Sequence, residues 1–540
     1  MVIPFHPSTW LRRGILLTAL VSTLGLFYLA TPAQASPIRG NTRWSVLLCR
    51  FNDVAATPQP ASFFRRMFTP TGAGQGGLDD YFKDQSYGKV RLTGSVVRGW
   101  YTMPFTKAQQ APKSRWQKIQ DCVATAADNG YTVPSGNRVI AIVNDWIDSG
   151  AAGGQVLLDP GAWNVAFAAH EMGHGYGLGH SFSNDPNYRN ASWSAPGEYD
   201  DPWDLMSAMN VYGFTGVNFG NGGVGLNAYH RDEAGWIPRS RILTVGANGD
   251  GTRTVTVRAL ESSSANGYRL VRVPFDPGDL FRYYTVELRK KVGNSRGIPA
   301  SRVLIHEVRN GTPTLIRNLS RADRAPVKSL NANGVKITVG RISGSKVTVK
   351  ITTAITTRCV QGYVWREARA GDVVCVTGAT RSQVAADNAV KYSRWVNGAY
   401  GPHTCINGYV WREAFPGDDV CVTGAQRSLA AADNSAAASR RNPARLVYGP
   451  NTCQPGYVWR EGDGSDYVCV TGATRSQVAA DNAVRYSRWV SGAYGPHTCI
   501  NGYVWREAWP GDDVCVTGAR RSQAASDNAA GPGRVLRPGG

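Results

Sequence analysis

The stretch from His170 to His180 reads H-E-x-x-H-x-x-G-x-x-H: His170-Glu171-Met172-Gly173-His174-Gly175-Tyr176-Gly177-Leu178-Gly179-His180. Two histidines four apart on a helix share a face, so both imidazoles can reach one cation. Glu171 lies beside the first, where a carboxylate can handle a proton on a bound water. Gly177 lets the chain leave the helix in a conformation that is costly for residues with a side chain. The turn then returns His180 as a third ligand. Three protein ligands and one open position describe a catalytic Zn2+ rather than a structural one. The chemistry that follows is attack of an activated water on a polarised carbonyl. At this chain's frequencies of 8 His and 61 Gly in 540 residues, the two extra fixed positions make a chance match roughly 600-fold rarer than bare H-E-x-x-H.

A helix must carry His170 and His174. Gly161 to Ala169 is rich in Ala and apolar residues, as a buried helix leading into the motif would be. Gly173, Gly175, Gly177 and Gly179 crowd its end, and their small size lets backbone pass close to a metal. Downstream, Tyr199-Asp200-Asp201-Pro202-Trp203-Asp204-Leu205-Met206-Ser207 offers a methionine at a turn, with Met209 a nearby competitor.

The long zinc motif followed by such a methionine resembles the metzincin metallopeptidases. Within them, the wording G-H-G-Y-G-L-G-H-S and E-Y-D-D-P-W-D-L-M-S is most similar to the gametolysin and immune-inhibitor-A-like group. The immune inhibitors end the motif with aspartate, so His180 favours the gametolysin side. The resemblance implies an α+β catalytic domain, Met206 as an apolar floor beneath the metal, and peptide-bond hydrolysis. It also takes in the strand Trp44 to Asp53, the block Asp79 to Val90, the strand Arg138 to Asp145 and a closing helix around Tyr229 to Ile237. It spans roughly residues 42–240. One departure stands out. Some metzincins place a tyrosine two residues after the methionine, where this chain has Ala208; Tyr212 lies too far along to take that role. His230 is expected to be structural.

Chain length implies several domains. Residues 1–35 read as a signal peptide: Arg12-Arg13, an apolar run from Gly14 to Ala30, and a small-x-small site at Ala33-Gln34-Ala35. No second run has spanning length, so no membrane association is expected after cleavage, and a secreted monomer is the expectation. Ten cysteines agree with export. Cys49 and Cys122 are alone in the catalytic region, 36–240, and are expected to pair. The net charge of +20 favours anionic partners such as cell wall or glycan surfaces. No nucleic-acid fold signature accompanies it. Asp200, Asp201 and Asp204 could hold Ca2+, although acidic loops are more often merely solvated.

Residues 241–356 hold short runs of β-formers separated by turns, which predicts an antiparallel β-sandwich. His306 and Glu307 fall on one of its strands, without catalytic work. Residues 357–530 repeat four times. Each unit opens Cys-x-x-Gly-Tyr-Val-Trp-Arg-Glu, and a second cysteine follows at fixed spacing: Cys359 and Cys375, Cys405 and Cys421, Cys453 and Cys469, Cys499 and Cys515. The constant spacing favours a bridge within each unit, worth about 3 kcal/mol on the chain-entropy argument. Trp365, Trp411, Trp459 and Trp505 either pack on their own disulfides or form exposed platforms for sugars or peptides. Residues 531–540 read as a disordered basic tail. The leading functional expectation is a zinc endopeptidase acting on protein or peptide substrates. The rival is an adhesive, glycan-binding protein whose repeats do the work; the intact Glu171 argues against it.

Overall fold

The computed structural model describes residues 38–187, 194–216, 218–246, 251–262, 266–276, 281–354, 359, 362–369, 372–437, 439–440, 451–464 and 466–536. The expected signal peptide lies outside them. The described chain is mixed α/β, with several sheets and disulfide-stapled hairpin repeats at its C-terminal end.

The first sheet holds β1 (Trp44–Arg50), β2 (Val96–Thr102), β3 (Arg138–Val143), β4 (Gly150–Ala152) and β5 (Gln155–Leu158) in the order β2-β1-β3-β5-β4. Every pairing is parallel except β4 with β5. Side chains alternate across a strand, and β1 uses both faces. Trp44, Val46 and Leu48 enter one core, while Leu47 and Cys49 enter another. The first core also receives helix α1 (Leu78–Gln85) and helix α3 (Val165–Gly175). The second receives helix α2 (Arg115–Asp128), which Cys122 staples to Cys49. This burial on both faces explains why the strands read as continuous apolar runs rather than alternating ones.

A six-stranded sheet runs β6 (Phe182–Ser183), β12 (Thr312–Leu315), β11 (Arg302–Arg309), β10 (Tyr283–Arg289), β9 (Leu270–Pro274) and β7 (Ile242–Thr244) in that spatial order. A four-stranded sheet runs β8 (Gly251–Arg258), β15 (Lys346–Thr353), β14 (Val335–Ser343) and β13 (Ser329–Ala332). The two share one apolar core, built from residues such as Val257, Val286, Ile305, Ile337 and Val349. The sandwich is therefore present, but it is not purely antiparallel: β6 and β7 pair in parallel at its two edges. Strand β6 comes directly after His180, so the sandwich borrows an edge from the segment that carries the third histidine. A division at residue 240 cuts across this sheet.

All five disulfides follow the expected pairing. The repeats depart from expectation in their centre. The tryptophans lie half-buried beside the bridge, Trp365 facing Cys375 across a two-residue ladder, with the same pairing in the other units. The buried centre is the arginine that follows: Arg366, Arg412, Arg460 and Arg506 are each at most 2% exposed. Each donates two hydrogen bonds to an aspartate six residues on, as Arg412 does to Asp418 at 2.7 and 2.9 Å. A planar guanidinium matched to a carboxylate satisfies both charges, which lets a small unit bury them. The first two repeats also interlock. Arg366 donates to Asn434 and Arg412 to Asn388, while Ala368, Val384, Ala414 and Ala430 pack together between them.

Residues 531–536, expected as disordered, are ordered. Gly531–Arg534 forms a 3-10 turn, Val535 bridges to Cys453, and Arg534 donates to the carbonyl of Cys469. The third repeat offers unpaired backbone next to its bridge, and the tail satisfies it.

Candidate metal centre

Helix α3 starts at Asn164, whose side chain accepts from the N–H of Phe167. Its end is a Schellman motif. The N–H of Gly177 donates to His174 and that of Leu178 to Gly173, and Gly177 takes φ +87°. That turn aims the carbonyl of Leu178 back at the His174 ring, which donates from Nδ1 at 2.9 Å. His170 donates from Nδ1 to the carbonyl of Leu205 at 2.8 Å. His180 pairs through Nδ1 with Glu198 at 2.7 Å.

These partners decide the tautomers. A carbonyl can only accept, so Nδ1 of His170 and His174 carries the proton and Nε2 presents a lone pair. The Nε2 atoms converge, at 3.1 Å between His170 and His174 and 3.0 Å between His174 and His180. Lone pairs at that separation repel unless a cation lies among them. Tetrahedral zinc with bonds near 2.0–2.1 Å sets its ligand atoms about 3.3 Å apart, close to the observed spacing. The residues therefore fit the ion. Among the described residues, these three histidines are the group whose ligand atoms lie within 4.8 Å of one another. Burial, reinforced by the neighbouring histidines, lowers the pKa of all three rings, that of His174 to about 4. Neutral imidazole is the form that binds a metal.

Glu171 sits one residue along α3 and is 7% exposed. Burial raises its pKa to about 7, against the opposing pull of Arg115 and a hydrogen bond from the backbone of Ala151 on β4. Arg115, the first residue of α2, grips Asp148 with two hydrogen bonds and also donates to the carbonyl of Ala151. Sheet edge, α2 and α3 thus meet at the carboxylate.

Met206 is fully buried beneath α3. A Cβ on Gly173 would stand 2.5 Å from its sulfur, so glycine there is what lets the methionine close in. The carbonyl of Met206 accepts from Ser181, next to His180. Residues 205–206 therefore hold both ends of the triad. Met209 packs in the same core, and Tyr212 is turned away against Trp203.

Several supports were not foreseen. Asp200, Asp201 and Asp204, expected in a solvated loop, are fully buried. Asp204 binds His230, Ser181 and the backbone of Asn227, while Asp201 binds His306 on β11. His230 and His306 are structural, as expected, and their partners tie the methionine turn to helix α4 (Ala228–Glu233) and to the sandwich. Glu198 and Tyr199, which precede the aspartates, also support the site. Glu198 orients His180, and Tyr199, at φ +60°, lays its ring 4.3 Å from that of His180. A ligand histidine generally engages a carboxylate or carbonyl through its other nitrogen, but no spacing in the sequence singles out Glu198 for His180. No family model and no curated protein matches this chain.

Proposed function

We propose that this chain is a secreted zinc endopeptidase of the metzincin type, with His170, His174 and His180 holding the ion. The observation that carries the reading is the convergence of three Nε2 lone pairs whose opposite ring nitrogens are all engaged. Zinc bound there would supply Lewis acidity, acidifying a water and polarising a carbonyl.

The protein's own groups do the rest. Glu171, with a pKa raised to about 7, suits a group that takes a proton from water and returns it to a leaving amine near neutral pH. The backbone of Ala151 fixes its carboxylate. Strand β4 ends its sheet beside Glu171, and an extended peptide can add to such an edge by main-chain hydrogen bonds. Leu205, Leu178 and Glu198 hold the ligand rings in one tautomer and orientation. The disulfides and the absence of a membrane-spanning helix among the described residues accord with export.

The test is Glu171→Gln. It should bind zinc as the parent does and lose about 10²–10⁴-fold in hydrolysis of a denatured-protein substrate. Normal turnover by that variant, or by protein stripped of metal, would remove the proposal.

A further inference from the structure

Between the first and second repeats the chain makes a hairpin, Trp395–Gly398 with Gly401–Cys405; between the third and fourth it makes the same one, Trp489–Gly492 with Gly495–Cys499. Each hairpin, with the turn before it and the tryptophan of the next repeat, gathers half-buried tryptophans beneath exposed tyrosines. Trp395 stacks on His403 at 3.8 Å and donates from its indole N–H to the carbonyl of Asp419. The Asp419 carboxylate takes Nδ1 of the same histidine. Tyr392 stands edge-on to Trp395, and Tyr400 edge-on to Trp411. The second hairpin repeats each contact with Tyr486, Trp489, His497 and Tyr494. Yet Tyr392, Tyr400, Tyr486 and Tyr494 are 71%, 76%, 67% and 76% exposed. Rings this open add little to the repeat's own core, and their scaffolding is rigid, so little ordering is needed to bind.

We propose that the two hairpins are twin binding sites for a polysaccharide of β-linked pyranose rings. Such a chain is a flat ribbon whose faces are C–H and whose edges are hydroxyls. Exposed rings match the faces; the His403 and Asp419 pair, and its counterpart His497 and Asp513, match the edges. A protein hot spot would instead gather its aromatics in a desolvated pocket. The duplication decides further: two copies of one site on one chain suit a ligand that itself repeats, because the second contact is then intramolecular. Cationic Lys391 and Arg485 stand over Tyr392 and Tyr486, which extends the match to glycans that carry acidic groups. This binding role is independent of the peptidase reading.

The test uses the full secreted chain, sedimented with crystalline cellulose or chitin, with α-linked starch granules as control. The parent should partition onto the β-linked polymers and stay in solution with starch. Replacing all four tyrosines by alanine should weaken binding about tenfold or more, with either pair alone intermediate. The four Tyr→Phe replacements should bind nearly as the parent. Far-UV circular dichroism and thermal unfolding should be equal in all variants, which reports that they fold. A parent that stays in solution, or an alanine variant that binds equally, overturns the proposal. So does a concentration-dependent dimer that the alanine variant loses while no glycan binds, since the surface would then serve a second copy.

Discussion

At the scale of single residues, the histidine cluster depends on side chains that stand behind it. Glu198 orients His180, so Glu198→Ala should weaken zinc binding by about 10–100-fold, read by chelator competition, while the fold persists. Unchanged affinity would make the contact incidental. Gly173→Ala pushes a methyl into the Met206 sulfur and should lower unfolding free energy by about 1–3 kcal/mol, read by urea titration. The three histidines and Glu171 were legible in sequence because their spacing is local: helix geometry sets His170, Glu171 and His174, and the Gly177 turn returns His180. Glu198 and the Asp204–His230 pair were not, because no local period links residues so far apart in the chain. The pair also sets a pH signature. Burial, the largest influence, opposes both charges, but mutual attraction and their hydrogen bond prevail, so His230 is raised and Asp204 lowered. A raised imidazole stabilises fully below its unfolded value of about 6.5 and loses this as pH climbs through its folded value; a lowered carboxyl stabilises above about 3.9 and loses this on acidification. The stability advantage of the parent over Asp204→Asn should therefore be largest between about pH 4 and 6.5. An advantage that grows above that window would contradict the pairing.

At the scale of elements, β1 and α3 were readable from apolar pattern and composition. Strand β6 was not: two residues carry no periodicity, and only its partner β12 makes them a strand. The centres of the repeats were hidden for a related reason. The tryptophans were open to two readings, packed on their disulfides or exposed as platforms, and they lie half-buried beside the bridges; nothing in the pattern marked the arginine beside each, which has a bidentate partner six residues on. Removing one member of a buried ion pair strands the other charge. Asp418→Ala should thus destabilise its repeat by about 3–5 kcal/mol, and Asp418→Ala with Arg412→Leu should recover much of the loss. Because Arg412 also reaches Asn388, hydrogen exchange in Gly378–Ala389 of the neighbouring repeat should rise as well. Exchange confined to the mutated repeat would show that the two do not fold as one.

At the scale of the whole molecule, the repeats are not all alike in what they touch. The third packs on α4 and the segment after it: Tyr467 donates to the carbonyl of Ile237, Asn451 to that of Asp232, and Arg239 lies over Trp459 while bonding Glu461. Asp463 binds Arg39 at the start of the described chain. Tyr467→Ala should therefore lower the melting temperature of the region that carries the histidine cluster as well as of the repeat, by about 2–4 °C per kcal/mol lost. A shift seen only in the repeat would mean the contact is superficial.

The residue two positions before the second cysteine is Val373, Asp419, Tyr467 and Asp513 in the four repeats. Where it is aspartate it braces a hairpin; where it is tyrosine it seats the module on its neighbour. One variable letter within the cassette thus works as an address. Further cassettes bearing aspartate could be spliced in by duplication, lengthening the array while the single tyrosine-bearing copy keeps its mooring.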